Sequence, residues 1–254
     1  MKQIILCGMA FSLLFLVTSC KDAPNAPTPQ ESYANSSGQP LPDISDIDNI
    51  GGVLGTYLIK QNFGISIEQA FAQFGATGVD AGEVSLNGYT LAQQLVNGSF
   101  IYSSSGSSTP TVDIPGVNFD GSDHEFNVEG NGNIPALTVS VPGATDFLLL
   151  KPLLASQINR ADGLDIQWTG GSATSDERVL ISITSTASNQ ATTFISKDVP
   201  NSGSYSFSAA DLGTISGSVV LNVAKYRMET LDVSGKTYVA VSEVVFARAI
   251  TIVQ

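Results

Sequence analysis

The chain has 254 residues, of which 11 are basic and 23 acidic, and its net charge is −12 at pH 7. This length excludes a large multidomain enzyme, and the acidic balance disfavours nucleic-acid binding, because phosphate recognition needs clustered Lys and Arg. It equally disfavours docking on anionic lipid headgroups. Since 43% of the residues are apolar, the chain can bury a substantial core and is not disordered throughout.

The first residues have the layout of a secretory signal. Lys2 is followed by an apolar run over residues 4–17, and the run ends just before Cys20. This run is too short for a membrane-spanning helix, which needs about 20 apolar residues. We therefore predict a signal peptide over residues 1–19.

The residues before Cys20 resemble the lipobox of bacterial lipoproteins, since Val17, Thr18 and Ser19 are small or aliphatic and a Cys follows directly. The resemblance implies cleavage between Ser19 and Cys20, a diacylglyceryl group on the Cys20 sulfur, and acylation of its new amino group by a fatty acid such as palmitate. Several acyl chains anchor a protein stably where one chain does not. The alternative is an ordinary signal with a chance Cys. After cleavage Cys20 is the only cysteine, so an intramolecular disulfide and a cysteine-rich metal site are both excluded.

The dipeptide Lys21-Asp22 looks like the export signal that sends some Gram-negative lipoproteins to the outer face of the outer membrane. We therefore expect a lipid-anchored protein in the outer membrane that faces the exterior, and the periplasmic face is the alternative. Residues 20–45 hold five of the eleven prolines together with Asn, Ser, Gln and Gly. This composition predicts a linker that lifts the folded part away from the lipid.

From residue 52 onward, short runs rich in Val, Ile, Thr, Tyr and Phe alternate with turn-forming residues, which is typical of an all-β sandwich or barrel. Strands in the first half are predicted near residues 53–60, 82–87, 99–103, 111–114, 125–129 and 136–141. Turns are predicted at Asn87-Gly88, at Asp120-Gly121 and over residues 130–133. We predict a strand over residues 66–74, although helical spacing of its apolar residues leaves a helix open, and a short helical turn over residues 90–97.

The second half alternates more regularly, because Leu164, Ile166 and Trp168 share one face of a predicted strand. Further strands are predicted around Val179–Ile183, Tyr205–Phe207, Val219–Val223 and Tyr238–Val253. Ser234-Gly235 predicts a hairpin before the last of them. We predict two β-sandwich (Ig-like) modules: an N-terminal β domain over residues 46–148 and a C-terminal Ig-like β-sandwich over residues 149–254.

The segment Gly163–Thr169 looks like the strand of fibronectin-type and related sandwich domains in which a Trp fills the core. Taken with residues 127–130 and 134–136, the chain resembles surface lipoproteins of Gram-negative bacteria that have Ig-like or fibronectin-like β-sandwich domains. The resemblance implies a lipid anchor and β-sandwich modules with no assigned activity.

His124 is the only histidine, and its neighbours predict a solvated loop. As a general base it would need a nucleophile and an orienting acid, and no Gly-x-Ser-x-Gly elbow accompanies it. One His and a lipidated Cys are a poor ligand set for zinc. We therefore predict no catalytic residue and a non-enzymatic protein, with a hydrolase as the less favoured alternative.

Oxygen ligands remain for metal binding. Asp120, Asp123, Glu125 and Glu129 are weak calcium candidates, and a second acidic group is formed by residues 43, 46 and 48. Neither group follows the EF-hand loop. The alternative is that these acids and their polar neighbours form and cap turns. We therefore predict no cofactor other than a weakly supported calcium ion.

Sugar binding commonly uses exposed aromatic faces. Trp168 is in phase with core residues, so the freer candidates are Tyr89, Tyr102, Tyr226 and Tyr238. The alternating charges Lys225, Arg227 and Glu229 predict a solvent face or a strand edge protected by charge.

These observations predict a lipid-anchored surface lipoprotein that presents a binding, structural or adhesive β-sandwich surface. The alternative is a glycan-binding module of a polysaccharide-uptake system. The expected partners are the membrane, through Cys20, and a glycan or a surface protein, but no nucleic acid.

Overall fold

The computed structural model describes Pro42, Ile44 and residues 47–60, 64–105, 113–172, 174–185 and 194–254. The predicted signal peptide, Cys20 and the rest of the predicted linker except Pro42 and Ile44 lie outside the described residues, as do Asp43 and Asp46. Within the described part, no helix is both long and apolar enough to cross a membrane.

The described residues form sixteen strands, one 3₁₀ turn at Arg160–Asp162 and one short helix, α1, at Ala209–Leu212. The strands are Ile50–Lys60 (β1), Ser66–Phe74 (β2), Val84–Leu86 (β3), Tyr89–Thr90 (β4), Ala92–Val96 (β5), Ser99–Ser103 (β6), Asp123–Val128 (β7), Leu137–Pro142 (β8), Leu149–Lys151 (β9), Gln157–Asn159 (β10), Leu164–Trp168 (β11), Arg178–Ser185 (β12), Phe194–Pro200 (β13), Ser204–Phe207 (β14), Gly217–Val233 (β15) and Lys236–Val253 (β16).

The strands form one large sheet and two small ones. The large sheet has the order β13-β12-β15-β16-β1-β2-β6-β5, and β10 also pairs with β16. The small sheets have the orders β14-β11-β9 and β4-β3-β7-β8. Both small sheets pack on the same face of the large sheet, because the main core cluster contains residues of all three. The predicted all-β, sandwich-like fold is confirmed.

The two predicted segments, 46–148 and 149–254, contribute to the same sheet. Strand β1 of the first lies parallel to β16 of the second, with Val53 opposite Val239 and Lys60 opposite Phe246. The main core cluster also draws residues from both segments. The proposed boundary falls between β8 and β9 and stays a prediction, but the two segments share one sheet and one core.

Two hairpin turns were predicted from dipeptides that tolerate positive φ, and both are confirmed. Asn87 and Gly88 have φ of 47° and 81°, and Ser234 and Gly235 have φ of 54° and 75°. Such pairs match the twist of the strands they join. The second turn closes the longest hairpin of the described chain, in which β15 and β16 pair from Gly217 to Val233.

The strand predicted over residues 66–74 is confirmed as β2, but the helical turn over residues 90–97 is wrong. That stretch forms β4 and β5, and β5 pairs with β6 around Asn97-Gly98. Asn97 and Gly98 both have positive φ, 52° and 84°, as a tight hairpin turn requires, and this turn outweighs the helical spacing of Leu91 and Leu95 on which the prediction rested. Of the strand predicted near 111–114, residues 111–112 lie outside the described residues and Ile114 is not in a strand.

Candidate functional site

The structure places His124 inside the sandwich, not in a solvated loop. It lies in β7, where His124 faces inward between the exposed Asp123 and Glu125, and it is fully buried. Its Nε2 is 2.9 Å from the carbonyl oxygen of Asn118, and its Nδ1 is 2.7 Å from Oγ1 of Thr56. Because a carbonyl only accepts, Nε2 carries the proton and Nδ1 accepts the Thr56 hydroxyl. Desolvation by burial lowers the pKa of His124, so the ring is neutral at pH 7.

A hydroxyl bonded to an imidazole is also the arrangement of an activated nucleophile. Here Thr56 and His124 are both fully buried, so a substrate has no contact with either group. The pair instead joins β1 of the large sheet to β7 of a small sheet. Nearby, the amide of Ala144 donates to Oγ of Ser242 at 2.9 Å and makes a second polar link between the layers.

Lys225 is fully buried, so the prediction that it lies on a solvent face or a protected edge is wrong. Its Nζ is 3.2 Å from Glu177 Oε2 and donates to Thr145 Oγ1 at 2.5 Å. Asn201 Nδ2 donates to the same Glu177 oxygen at 3.0 Å, and Trp168 Nε1 donates to Asn201 Oδ1 at 2.7 Å. This network ties a small sheet to the large one, and its connectivity points to a structural role.

The position of β15 in the large sheet explains why the prediction for Lys225 was wrong. Strand β15 lies between β12 and β16, so it is not an edge. Arg227, two residues on, is partly buried and pairs with Asp176 at 2.6 Å, while Glu229 is exposed. Only the buried partner Glu177, 48 positions earlier in the chain, allows Lys225 to lie inside, and alternation along one strand does not reveal such a partner.

The four acidic residues Asp120, Asp123, Glu125 and Glu129, all of them described, do not come together as one site. Asp123 and Glu125 are exposed on β7, Asp120 accepts the Ser122 amide at 2.9 Å, and Glu129 accepts the amide of Glu83 at 3.1 Å. Across the described residues, no group of three or more His, Cys, Asp and Glu side chains is arranged to hold a metal ion.

The aromatic side chains are mostly in the core. Trp168 is buried, as predicted, and three of the four tyrosines considered for sugar binding are also buried: Tyr102, Tyr226 and Tyr238. Tyr89 is only partly exposed. In the described ranges, no aromatic residue is among the exposed large hydrophobics, so a stacking platform for sugars is missing there.

The most concentrated exposed apolar region of the described chain is a group of four leucines, which we call the leucine surface. Leu148, Leu150, Leu153 and Leu154 are 56%, 47%, 69% and 44% exposed. They make up half of the exposed large hydrophobic residues and lie within seven positions. Single exposed leucines are ordinary, but clustered ones mark interaction sites.

The first two leucines are positioned by an edge strand. Strand β9 is the last strand of its sheet, and alternation points Leu149 into the core and Leu148 and Leu150 outward. The Leu148 amide donates to Thr169 Oγ1 at 2.8 Å, and Leu149 lies opposite Trp168. Leu148 and Leu150 are therefore displayed on a strand anchored from its buried side.

The other two leucines, residues 153–154, lie in the turn after β9. The guanidinium of Arg248 donates a hydrogen bond to the carbonyl oxygen of Pro152. The amide of Ala155 donates one to the carbonyl oxygen of Ala249 at 3.1 Å. These bonds hold the turn against β16. Next to it runs an open groove whose lining combines apolar residues such as Leu153 and Ile158 with the polar residues Gln157, Asp162 and Asp165.

The leucine surface was not predicted from the sequence, because residues 148–154 were interpreted as part of the connection between two modules. The available signal was the run of five leucines around Lys151-Pro152, since so apolar a connection is unusual on a protein surface. No protein-family model matches the chain, and no curated protein matches it. A functional assignment therefore depends on the surfaces of the molecule.

Proposed function

We propose that this protein is a non-enzymatic lipoprotein, anchored in the outer membrane through Cys20, that binds a protein partner through the leucine surface. The observation that carries the proposal is the exposure of four leucines within residues 148–154, whereas most other large apolar side chains among the described residues are buried or partly buried. An apolar centre with a polar rim is the composition of a protein–protein interface. The two acids of the rim, Asp162 and Asp165, and the net charge of −12 favour a partner with basic residues around an apolar face.

The anchor is tested by metabolic labelling with an alkyne-bearing palmitate in a Gram-negative host. We expect the unaltered chain to carry the label and to fractionate with the outer membrane. Cys20→Ala should lose both properties, while Cys7→Ser, a change within the predicted signal peptide, should keep both. Label retained by Cys20→Ala would overturn the anchor assignment. Digestion of intact cells with protease then distinguishes the exterior from the periplasmic face.

The binding surface is tested with a photo-crosslinking amino acid in the full chain. Placed at Leu150 or Leu153, it should give the same discrete protein adduct, because both positions face one partner. Placed at Leu95, which is 64% exposed on the distant hairpin of β5 and β6, it should give none. Adducts that are absent at all three positions, or equal at Leu95, would contradict the proposal. An adduct that a glycosidase removes would favour the glycan alternative.

A further inference from the structure

One buried carboxylate holds an amine and a carboxamide side by side. Glu177 Oε2 lies 3.2 Å from Nζ of Lys225 and accepts a hydrogen bond from Nδ2 of Asn201 at 3.0 Å. The side chains of Lys225 and Glu177 are 0% and 4% exposed, and Asn201 is 1% exposed. An amine, a carboxamide and a carboxyl group that can carry protons between them are therefore neighbours in a site shielded from solvent.

Three separate parts of the fold bring these groups together. Lys225 lies in β15 of the large sheet, and Glu177 directly precedes β12, which is the neighbour of β15 in that sheet. Asn201 follows β13, where the chain leaves the large sheet for β14 of a small sheet. Trp168, which bonds to Asn201, lies in β11 of the same small sheet. The three groups therefore meet where the large sheet and this small sheet are joined.

The hydrogen bonds of Asn201 polarise its carboxamide. Its Oδ1 accepts the indole N–H of Trp168 at 2.7 Å, and both side chains are buried. A donor on this oxygen stabilises the negative charge that forms there when a nucleophile attacks Cγ. Its Nδ2 donates to Glu177 and also to the carbonyl oxygen of Gly170 at 3.2 Å. The site thus supplies a donor for the carboxamide oxygen and a proton carrier for its nitrogen.

The amine of Lys225 lies in surroundings that exclude bulk water. Its Nζ is 5.7 Å from the centre of the Phe147 ring and donates to Thr145 Oγ1. Thr145 Oγ1 in turn donates to Glu177 Oε2 at 3.1 Å. Because Phe147 and Trp168 are both buried, water does not compete with the amine for the carboxamide.

We propose that Lys225 and Asn201 form an intramolecular isopeptide bond, with Glu177 as the proton carrier. Lys225 first gives a proton to Glu177, and the neutral Nζ attacks Cγ of Asn201. The Cγ–Nζ bond forms and an electron pair moves to Oδ1. Its return breaks the Cγ–Nδ2 bond after Glu177 has protonated Nδ2, and ammonia leaves. Of the three protons of the ammonium group, one stays on the new amide nitrogen, one leaves with ammonia and one stays on Glu177.

The reaction suits both the buried site and the composition of the chain. It replaces the charges of Lys225 and Glu177 by neutral groups, so the cost of burying an ion pair disappears. It needs no oxidant, reductant or further reactant. After the predicted cleavage Cys20 is the only cysteine, so the isopeptide bond supplies the covalent link that a disulfide cannot. Like a disulfide, such a link stabilises the fold by restricting the unfolded chain. The inference is independent of the leucine surface.

Mass spectrometry of tryptic peptides from the full chain tests the proposal. Without the link, trypsin cleaves after Lys197 and Lys225 and gives peptide 198–225 at its sequence mass. With the link, the acylated Lys225 is not cleaved, and peptide 198–227 is expected with a mass lower by one ammonia, about 17 Da. A succinimide at Asn201 also removes ammonia, but it leaves Lys225 cleavable. Peptide 198–225 as the only product, at any mass, would overturn the proposal.

Three variants identify the reacting groups. Glu177→Gln cannot take a proton from the amine, so the rate at which the linked peptide forms should fall by about 100-fold or more. Glu229→Gln, at an exposed position of β15, is the control and should leave the rate unchanged. A folded Glu177→Gln chain that forms the link as fast as the control would contradict the proposal. Asn201→Asp replaces the carboxamide by a carboxyl group, so its linked peptide should have lost water. Loss of ammonia from peptide 198–227 of this variant would show that another residue reacts and would overturn the assignment.

Discussion

Thr56 and His124, 68 positions apart in the chain, are joined by a 2.7 Å hydrogen bond that connects β1 of the large sheet to β7 of a small sheet. Both side chains are fully buried, and the second ring nitrogen of His124 is held by a backbone carbonyl. The only histidine of the protein thus has both nitrogens bonded. His124 thus joins a small sheet to the large sheet. Because its ring has no solvent access, a role in proton transfer to a substrate is not favoured.

Removing the Thr56 hydroxyl should destabilise the fold. Thr56→Val keeps the shape of the side chain but leaves Nδ1 of His124 buried without a donor, and such a loss costs about 1–3 kcal/mol. Urea denaturation should show a lower midpoint with an unchanged slope. Thr90→Val, at an exposed Thr in β4, is the matched control and should leave the midpoint close to that of the unaltered protein. A Thr56→Val midpoint equal to that of the control would show that the hydrogen bond contributes little.

His124 should also make the fold less stable in mild acid. Burial lowers its pKa in the folded state, so the unfolded chain, with a pKa near 6.5, takes up a proton that the folded chain does not. Stability should therefore fall as the pH drops below about 6.5 and should level off below the folded-state pKa. The free energy of unfolding, measured by urea titration at a series of pH values, checks this. His124→Gln should flatten the profile in that range, and an unchanged slope would assign the dependence to other groups.

Glu243 should make the fold less stable as the pH rises, which is the opposite of the effect of His124. Its folded-state pKa is raised, so above about pH 4.5 the unfolded chain releases a proton that the folded chain keeps. Stability should therefore fall as the pH rises from 4.5 toward the folded-state pKa. Glu243→Gln cannot ionise, so it should be the more stable protein at pH 7 and the two should converge near pH 4. Glu229→Gln, at an exposed position of β15, is the control and should change little. A Glu243→Gln variant less stable than the unaltered protein at pH 7 would show that the carboxylate is needed.

Local signals predicted the local structure well. Alternation identified β11 and its buried Trp168, and the Asn-Gly and Ser-Gly pairs located two hairpins because positive φ restricts which residues can stand there. The parallel pairing of β1 with β16 left no such signal, because it joins strands nearly two hundred positions apart and no turn connects them. The sequence therefore predicted two modules, while the observed strands share a sheet.

The buried charges were missed for a related reason. A lysine in an alternating strand pattern is predicted to face solvent. Lys225 can be buried because it contacts Glu177 and Thr145, and these residues are distant from it in the sequence and close only in the fold. The leucine surface is the converse case. Its apolar residues are easily seen in the sequence, but whether a leucine faces the core or solvent depends on the position of β9 at the edge of its sheet.

Breaking the ion pair of Lys225 should be costly. Lys225→Met leaves the buried Glu177 with only the longer ion pair to Arg227 Nε, at 3.7 Å, and removal of one partner of a buried pair costs about 3–5 kcal/mol. Lys197→Met, on β13, is the matched control because Lys197 and its partner Asp211 are 43% and 36% exposed, and such exposed pairs contribute about 0–1 kcal/mol. Urea denaturation of both variants measures the difference. Equal losses would show that the remaining hydrogen bonds to Glu177 compensate for the cation.

Polar substitution of the leucine surface should separate binding from folding. Leu150→Thr together with Leu153→Thr removes exposed apolar surface, so the free energy of unfolding should change by no more than about 0.5 kcal/mol for each substitution. Leu149→Ala, on the same strand but facing the core, should lose about 2–5 kcal/mol because it leaves a cavity. The adduct formed by a crosslinker at Leu148 should disappear in the double variant, since the partner loses the apolar contact. An adduct that survives in a folded double variant would show that this edge of the sheet is not the binding surface.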